Sequence, residues 1–363
     1  MKYKYRLIFF AIGLVGIGIL LWKADLPNID WSIVFRIDSL LLLTVTCALW
    51  FFIYIIHVIC YRIILKKESK RIPFFSMLKI LCSGFALNYI TPAGLVGGEP
   101  YRIMELKRYC STEKSIASTL TFSLLYVFGH ILLWITTSIV FLVMLCLGLK
   151  APVWLVIFVL TSGALLLGLF VILILYRKNG FVYPIMRFFC TIPFLKKKLI
   201  PVVEKNQQSY IEIDDNIREF RNTPIRFVLC LSMQYFTRLL EALEYFLLFY
   251  FFGREFGYTP HFYEGILITG LASLIGNILF FIPMQISTRE GGMALALSLL
   301  LTSEKAINQV GVGMGLLFRI REFIFIAIGI IMIPGGRQGW KLIENKEEVV
   351  GFRKKDKTCR RLY

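Results

Sequence analysis

The 363-residue sequence is 57% hydrophobic and 18% charged, with a mean hydropathy of +0.71, which excludes a soluble enzyme and indicates a helical membrane protein with several spans. A formal net charge of +18 would suggest a nucleic-acid partner for a soluble chain. Here Lys and Arg sit mainly between the apolar runs, where they set orientation and meet anionic lipid, so no nucleic acid is expected.

The amino-terminal run from Leu7 to Trp22 follows Lys2, Lys4 and Arg6 and has no small-x-small cleavage site before Lys23 and Asp25. It is expected to be an uncleaved first span with the amino terminus in the cytoplasm. A second span, Ser39 to about Ile64, returns to a basic segment holding Arg62, Lys66, Lys67, Lys70, Arg71 and Lys79. Next, the uncharged run Ile80 to Gly98 has basic flanks on both sides and is punctuated by Pro92, Gly94, Gly97 and Gly98, with Pro100 suited to the first turn of a returning helix. A run that leaves and returns to one side is a re-entrant hairpin, placed here at about 73–110. Ser115 to Leu149 supplies the third span with a lead-in helix, and Ala151 to Tyr176 the fourth.

Between Arg177 and Arg226 the chain turns polar and basic, which marks the main cytoplasmic loop (177–226). Within it Val203, Tyr210, Ile213, Ile217 and Phe220 recur at helical spacing, predicting an amphipathic helix on the bundle or at the lipid surface; a solvated connector with one sticky face is the plainer reading. A fifth span, Phe227 to Phe252, leads to a loop with Arg254, Glu255, His261 and Glu264 that is not basic and is placed outside. The last span, about Ala306 to Ile333, ends in a basic tail (337–363) placed in the cytoplasm.

The stretch Gly265 to Ser303 organises the rest. Its 24 uncharged residues to Thr288, the Arg289-Glu290 pair and 13 more uncharged residues are too long for one span and too short for two comfortable ones, since about 20 helical residues cross about 30 Å of hydrocarbon. A helix that stops at Pro283 and returns from about Thr288 fits better. Charge parity excludes a single span but leaves a hairpin and a pair of full spans both open. The order span, span, hairpin, span then occurs twice, in 1–150 and in 151–336, with hairpins at about 73–110 and 265–303. An odd number of crossings inverts the second unit. The expected fold is therefore all-α: six full spans plus two re-entrant helical hairpins in an inverted repeat, whose breaks meet near the midplane.

The two breaks, TPAGLVGGEPYR and IPMQISTREGGM, each join Pro, Gly, Glu and Arg. Charges near the bilayer centre are costly and are not kept idly. Returning helices that start near Glu99 and Thr288 would aim their positive ends into a cavity, where Arg102 and Arg289 suit an anionic group, the Arg fork favouring phosphate. Glu99 and Glu290 would balance those arginines, bind an amine on the cargo or carry a proton. The plain alternative is capping: Ser287-x-x-Glu290 reads as a capping box, and Glu99 before Pro100 as a cap. Further charges, Arg238, Glu241 and Glu244 on the fifth span and Arg319 and Glu322 on the last, share helix faces at i,i+3 spacing; they either pair between spans or line the polar route, with Asn88 and Gln285 as further lining candidates. His57, His130 and His261 are too dispersed for a zinc site and read as packed residues. The eight cysteines, at 47, 60, 82, 110, 146, 190, 230 and 359, form no CxxC and read as reduced.

The pair TPAGLVGGEPYRI and IPMQISTREGG resembles the signatures of the bacterial flippase-like family that includes the membrane half of lysylphosphatidylglycerol synthase, the multiple peptide resistance factor. The likeness runs from the first span to about residue 335. It implies a lipid-translocating bundle and carries Gly97, Gly98, Glu99 and Arg102, and Arg289, Glu290 and Gly291, over as substrate-binding positions. That synthase continues into a soluble aminoacyl-transfer domain, whereas this sequence ends in a short basic tail, so aminoacylation is not expected.

The expected function is transport of an anionic or zwitterionic lipid, of phospholipid or polyprenyl-phosphate type, between leaflets of the bacterial cytoplasmic membrane, without catalysis and without a cofactor or metal. The expected partners are membrane lipids, with a homo-oligomer or an envelope-synthesis protein beside them. A membrane-embedded transferase, or an accessory subunit for lipid-linked envelope synthesis, is the first alternative, although no nucleophile, metal cluster or nucleotide loop stands out. A small-solute or ion transporter is the second.

Overall fold

The computed structural model describes residues 37–90, 98–175, 207–279, 285 and 288–333. The proposed first span, the first break from Thr91 to Gly97, most of the second break including Pro283 and Ser287, much of the cytoplasmic loop with Val203, and the tail lie outside the described residues. Among the described residues every regular element is helical. They are α1 (Ile37–Leu65), followed by a 3-10 segment (Lys66–Arg71), α2 (Phe74–Ile90), α3 (Gly98–Leu106), α4 (Thr112–Cys146), α5 (Val153–Leu175), α6 (Gln207–Arg221), α7 (Pro224–Arg254), α8 (Phe262–Ile278), α9 (Thr288–Leu300) and α10 (Glu304–Ile331).

Helices α1, α4 and α5 are long and apolar enough to cross a membrane by length and composition. Helices α7 and α10, of 31 and 28 residues, have the length but carry charges in their middle thirds. At 17 residues each, α2 and α8 rise about 25 Å, short of a full hydrocarbon thickness. Surface and interior are inverted relative to a soluble protein. Leu40, Leu41, Phe51, Ile139, Val143, Trp154, Ile157 and Leu165 are exposed, while Arg102, Arg238 and Arg321 head the fully buried side chains. A water-facing surface with so many large apolar groups would be strongly unfavourable; a lipid-facing one is at ease. The protein is a multi-pass membrane protein.

Helix ends follow local chemistry. Ser111 accepts the Lys114 backbone N–H to start α4, Pro224 occupies the first turn of α7, and His261 and Glu264 close a reciprocal cap on α8. The amphipathic helix expected around residues 210–220 is α6. Its buried Ile213 and Ile217 pack on Ala117 with Ile116 and Leu120 of α4, and Asn216 accepts from Lys114 Nζ at 3.0 Å. It therefore lies on the bundle. Six cysteines, 47, 60, 82, 110, 146 and 230, are free thiols; Cys190 and Cys359 fall outside the described residues.

Two apolar clusters divide the interior. One gathers Phe141 and Met144 of α4, Leu248 and Phe249 of α7, Leu267 and Leu271 of α8, Ala296 and Leu297 of α9, and Met314 and Leu317 of α10. The other gathers Val58, Tyr61 and Leu65 of α1, Met77 and Leu81 of α2, Leu106 of α3, Phe122 and Leu125 of α4, and Cys230 of α7. Between them α4, α7 and α10 each carry buried polar side chains. On α4 the sequence passes from Phe122 through His130 and Thr137 to Phe141; on α7 from Cys230 through Gln234, Arg238 and Glu244 to Leu248; on α10 from Leu317 through Arg319 and Glu322 to Phe325, which packs on the second cluster. A polar layer thus lies at mid-height. The α2–α3 pair belongs to one cluster and α8–α9 to the other, and in both pairs the ends that adjoin the break, Tyr89 and Gly98, Gln285 and Thr288, reach this layer.

Candidate functional site

Close helix contact builds each half of the layer. At Gly98, the first residue of α3, a Cβ would stand 2.1 Å from the Gly84 carbonyl of α2, so the returning helix rests directly on the backbone of the entering one. Asn88 Oδ1 accepts the Gly98 N–H at 2.7 Å and thereby caps α3 from the neighbouring helix. The Glu99 carboxylate faces inward: its Oε1 accepts from Ser123 Oγ at 3.4 Å and from Asn88 Nδ2 at 3.5 Å, and lies 3.6 Å from Arg102 Nη1. The Arg102 guanidinium lies 4.5 Å over the Phe85 ring and 5.6 Å from that of Phe122, a desolvated setting in which cation–π attraction is strongest.

The second half is held by ion pairs. Gln285 adopts φ 51°, the left-handed region, which turns its carbonyl to accept from Thr288 Oγ1 at 2.9 Å and from Arg319 Nη2 at 3.4 Å. Arg319 bonds Glu290 through Nε at 2.6 Å and Glu322 through Nη1 at 2.6 Å. Arg289 reaches Glu322 at 3.4 Å. The Glu290 carboxylate is therefore committed to α10, and among the described residues nothing places it in a capping box. The close glycine in α9 is Gly292, whose Cβ would meet Ala272 Cα at 2.7 Å. Gly291 is exposed and meets nothing.

Two long helices, α7 and α10, complete the layer. Arg238 Nη1 donates to both Glu241 oxygens at 2.6 and 2.7 Å and lies 3.2 Å from His130 Nε2. Arg321 forks onto Glu244 at 2.8 and 2.9 Å, and Trp50 Nε1 of α1 donates to the same carboxylate at 2.7 Å. Pairing within one helix (Arg238–Glu241, Arg319–Glu322) and between helices (Arg321–Glu244) both occur. The halves meet at Tyr89, at the end of α2, which lines one cavity with Glu322. That brings the α2 end of one break beside the carboxylate that also holds Arg289 of the other.

The structure thus gathers Asn88, Gly98, Glu99, Arg102, Arg238, Glu241, Glu244, Gln285, Arg289, Glu290, Arg319 and Glu322 into one layer. Gly291 stands outside it, and Gly97 lies outside the described residues. Sequence reading missed Trp50, Tyr89, Ser123 and Tyr126. Tyr89 alone carried a signal, its place at the lip of the first break. The five arginines (102, 238, 289, 319, 321) are matched in number by five glutamates (99, 241, 244, 290, 322). Between Trp50, Tyr54, Tyr89, Arg321, Glu322 and Phe325 there is a cavity of ≈ 10 Å³, room for about one water. No three His, Cys, Asp or Glu side chains among the described residues are grouped to hold a metal.

The profile of the family described as lysylphosphatidylglycerol synthase TM region matches residues 7–329. Neither a curated protein nor a solved structure matches the sequence.

Proposed function

Because this chain belongs to the lysylphosphatidylglycerol synthase transmembrane-region family, a membrane-lipid-related family, we propose that it is a non-enzymatic transporter that moves an anionic or zwitterionic lipid between leaflets of the bacterial cytoplasmic membrane. On this reading α2–α3 and α8–α9 are re-entrant hairpins that enter from opposite leaflets, in an inverted repeat with six full spans and both termini in the cytoplasm. The head group crosses at the polar layer while its chains stay in lipid.

The observation that carries the reading is that Tyr89, beside the first break, lines one cavity with Glu322, the carboxylate that holds Arg289 beside the second. Broken backbone at membrane depth is tolerated where protein or a polar cavity surrounds it, and transporters place their binding sites there. Charge balance supports a carrier as well. With five arginines matched by five glutamates the empty layer is neutral, and a head group enters by displacing a carboxylate from an arginine rather than by meeting naked charge. On this reading the α2 end and α10, which share a cavity of ≈ 10 Å³, separate for that exchange, and conformational change gates transport.

The test is reconstitution of the purified protein in liposomes with a fluorescent phospholipid in both leaflets, followed by quenching from outside. Wild-type protein is expected to expose the inner-leaflet pool, and Glu99→Gln and Arg289→Ala to slow the exposure by about tenfold or more. Wild-type liposomes that quench no further than protein-free ones would overturn the reading.

A further inference from the structure

The five arginines of the polar layer are not equally committed. Arg289, Arg319 and Arg321 are held by carboxylates on neighbouring helices. Arg102 and Arg238, 2% and 1% exposed, each keep Nε and Nη2 without a protein acceptor, and His57, 2% exposed, keeps Nδ1 in the same state. The Tyr126 phenol approaches Arg238 but reaches neither bare nitrogen in hydrogen-bonding geometry. Buried donors without an acceptor are rare, because each forfeits its hydration for nothing. Four such donors with an imidazole nitrogen in one neighbourhood call for a shared acceptor.

They share a neighbourhood because one set of rings holds them. Phe85 lies under Arg102 at 4.5 Å and 5.5 Å from the His57 ring; Tyr126 lies under Arg238 at 4.4 Å and 5.9 Å from His57; Phe85 and Tyr126 are themselves 5.8 Å apart. His57 is thus a neighbour of the rings beneath both guanidiniums, and the charges of both act on it. The three donors come from α3, α7 and α1, so the arrangement depends on the tertiary fold. Gly84 lets the Arg102 head lie against the α2 backbone, since a Cβ there would stand 2.4 Å from Nε.

We propose that Arg102, Arg238 and His57 form an oxyanion subsite that takes the phosphate of a phosphate-ester head group. Two planar forks and an imidazole N–H match a tetrahedral oxyanion with several acceptor oxygens, which one water cannot satisfy. Glu99 Oε2, also buried and unpartnered, accepts from a hydroxyl or amine carried on the same head group. The ion-paired arginines of α9 and α10 act as the lock that must open, and the first contact with phosphate falls to α3 and α7. The assignment of a lipid as the source of the phosphate rests on the transport reading; the subsite itself does not.

Binding to the full-length protein in detergent micelles tests it by calorimetry, with dioctanoyl phosphatidylglycerol, dioctanoylglycerol and inorganic phosphate as probes. Phosphatidylglycerol is expected to bind and dioctanoylglycerol not to. His57→Phe and Arg102→Lys, the latter keeping charge while losing the fork, are expected to weaken the phospholipid by about tenfold or more. Gly84→Ala, which displaces the Arg102 head without removing it, weakens it in the same direction, and Arg254→Gln at the exposed end of α7 leaves it unchanged. Variants that melt as wild type without ligand and bind as wild type with it would overturn the subsite, as would equal binding of dioctanoylglycerol. Inorganic phosphate binding as tightly as the lipid, with the same residue dependence, upholds the subsite and overturns its lipid source. Residue-dependent lipid binding without lipid movement in liposomes upholds the subsite and overturns transport.

Discussion

Arg321 of α10 and Glu244 of α7 form a two-pronged ion pair at 2.8 and 2.9 Å, each with a side chain 1% exposed. Trp50 of α1 donates to the same carboxylate and lies 4.1 Å beneath the guanidinium, so three helices converge on one pair. Removing a single partner leaves the other charge buried and bare. Glu244→Ala and Arg321→Ala are each expected to destabilise the protein by about 3–5 kcal/mol, read as a fall in thermal unfolding temperature in detergent. The double variant Glu244→Leu/Arg321→Met is expected to recover most of the loss, because no charge is stranded; a loss equal to the sum of the single substitutions would refute the pairing.

Phe318 presents its ring to three arginines: Arg321 at 4.3 Å, Arg289 at 5.3 Å and Arg319 at 6.0 Å. Phe318→Leu keeps an apolar side chain and removes the ring quadrupole. A stability loss of about 1–2 kcal/mol is expected from the cation–π contribution, together with faster lipid movement if the α9–α10 lock limits opening. Unfolding temperature and the liposome quench measure the two effects separately.

Gly98 and Gly291 make a matched contrast. Gly98→Ala drives a methyl into the Gly84 carbonyl and is expected to cost about 1–3 kcal/mol by forcing α2 and α3 apart. Gly291→Ala, with open space around it, is expected to stay within about 0.5 kcal/mol of wild type. Comparable losses for the two would contradict the packing of the first helix pair.

At the edge of the bundle Lys66 Nζ donates to Glu219 at 2.6 Å and ties α6 to the turn after α1. That hydrogen bond holds the Glu219 carboxyl below its usual value of 4.5. A depressed carboxyl contributes stability above its unfolded value and loses it as pH falls through the folded one. The stability difference between wild type and Glu219→Gln is therefore expected to be present at neutral pH, a few tenths of a kcal/mol for so exposed a pair. It should vanish in acid below the ordinary carboxyl range. Unfolding temperatures of both proteins across that interval measure it, and a difference that persists in acid would refute the assignment.

Much of the architecture was legible in the residues themselves. Uncharged length fixed α1, α4 and α5; the spacing of Ile213, Ile217 and Phe220 marked α6; and Pro and Gly marked the gap between α2 and α3. Arg238 with Glu241, and Arg319 with Glu322, were legible as pairs because three residues apart is one helix face. Those features depend on period and composition, which a linear chain carries in full.

The partners across helices depended on the fold. Arg289 and Glu290 are neighbours in sequence with opposite charge, yet Arg289 goes to Glu322 and Glu290 to Arg319, since successive side chains on a helix point about 100° apart and do not meet. Asn88 capping α3, Tyr89 lining one cavity with Glu322 and His57 lying near both Arg102 and Arg238 likewise join residues from different helices. The sequence by itself determined that charge would lie within otherwise apolar helices, because hydropathy and helical period are local properties. Which arginine would be satisfied and which left with bare donors was decided by the packing of α1, α2, α3, α7 and α10 around one another, because a buried charge is answered by whichever group the neighbouring helix brings within reach.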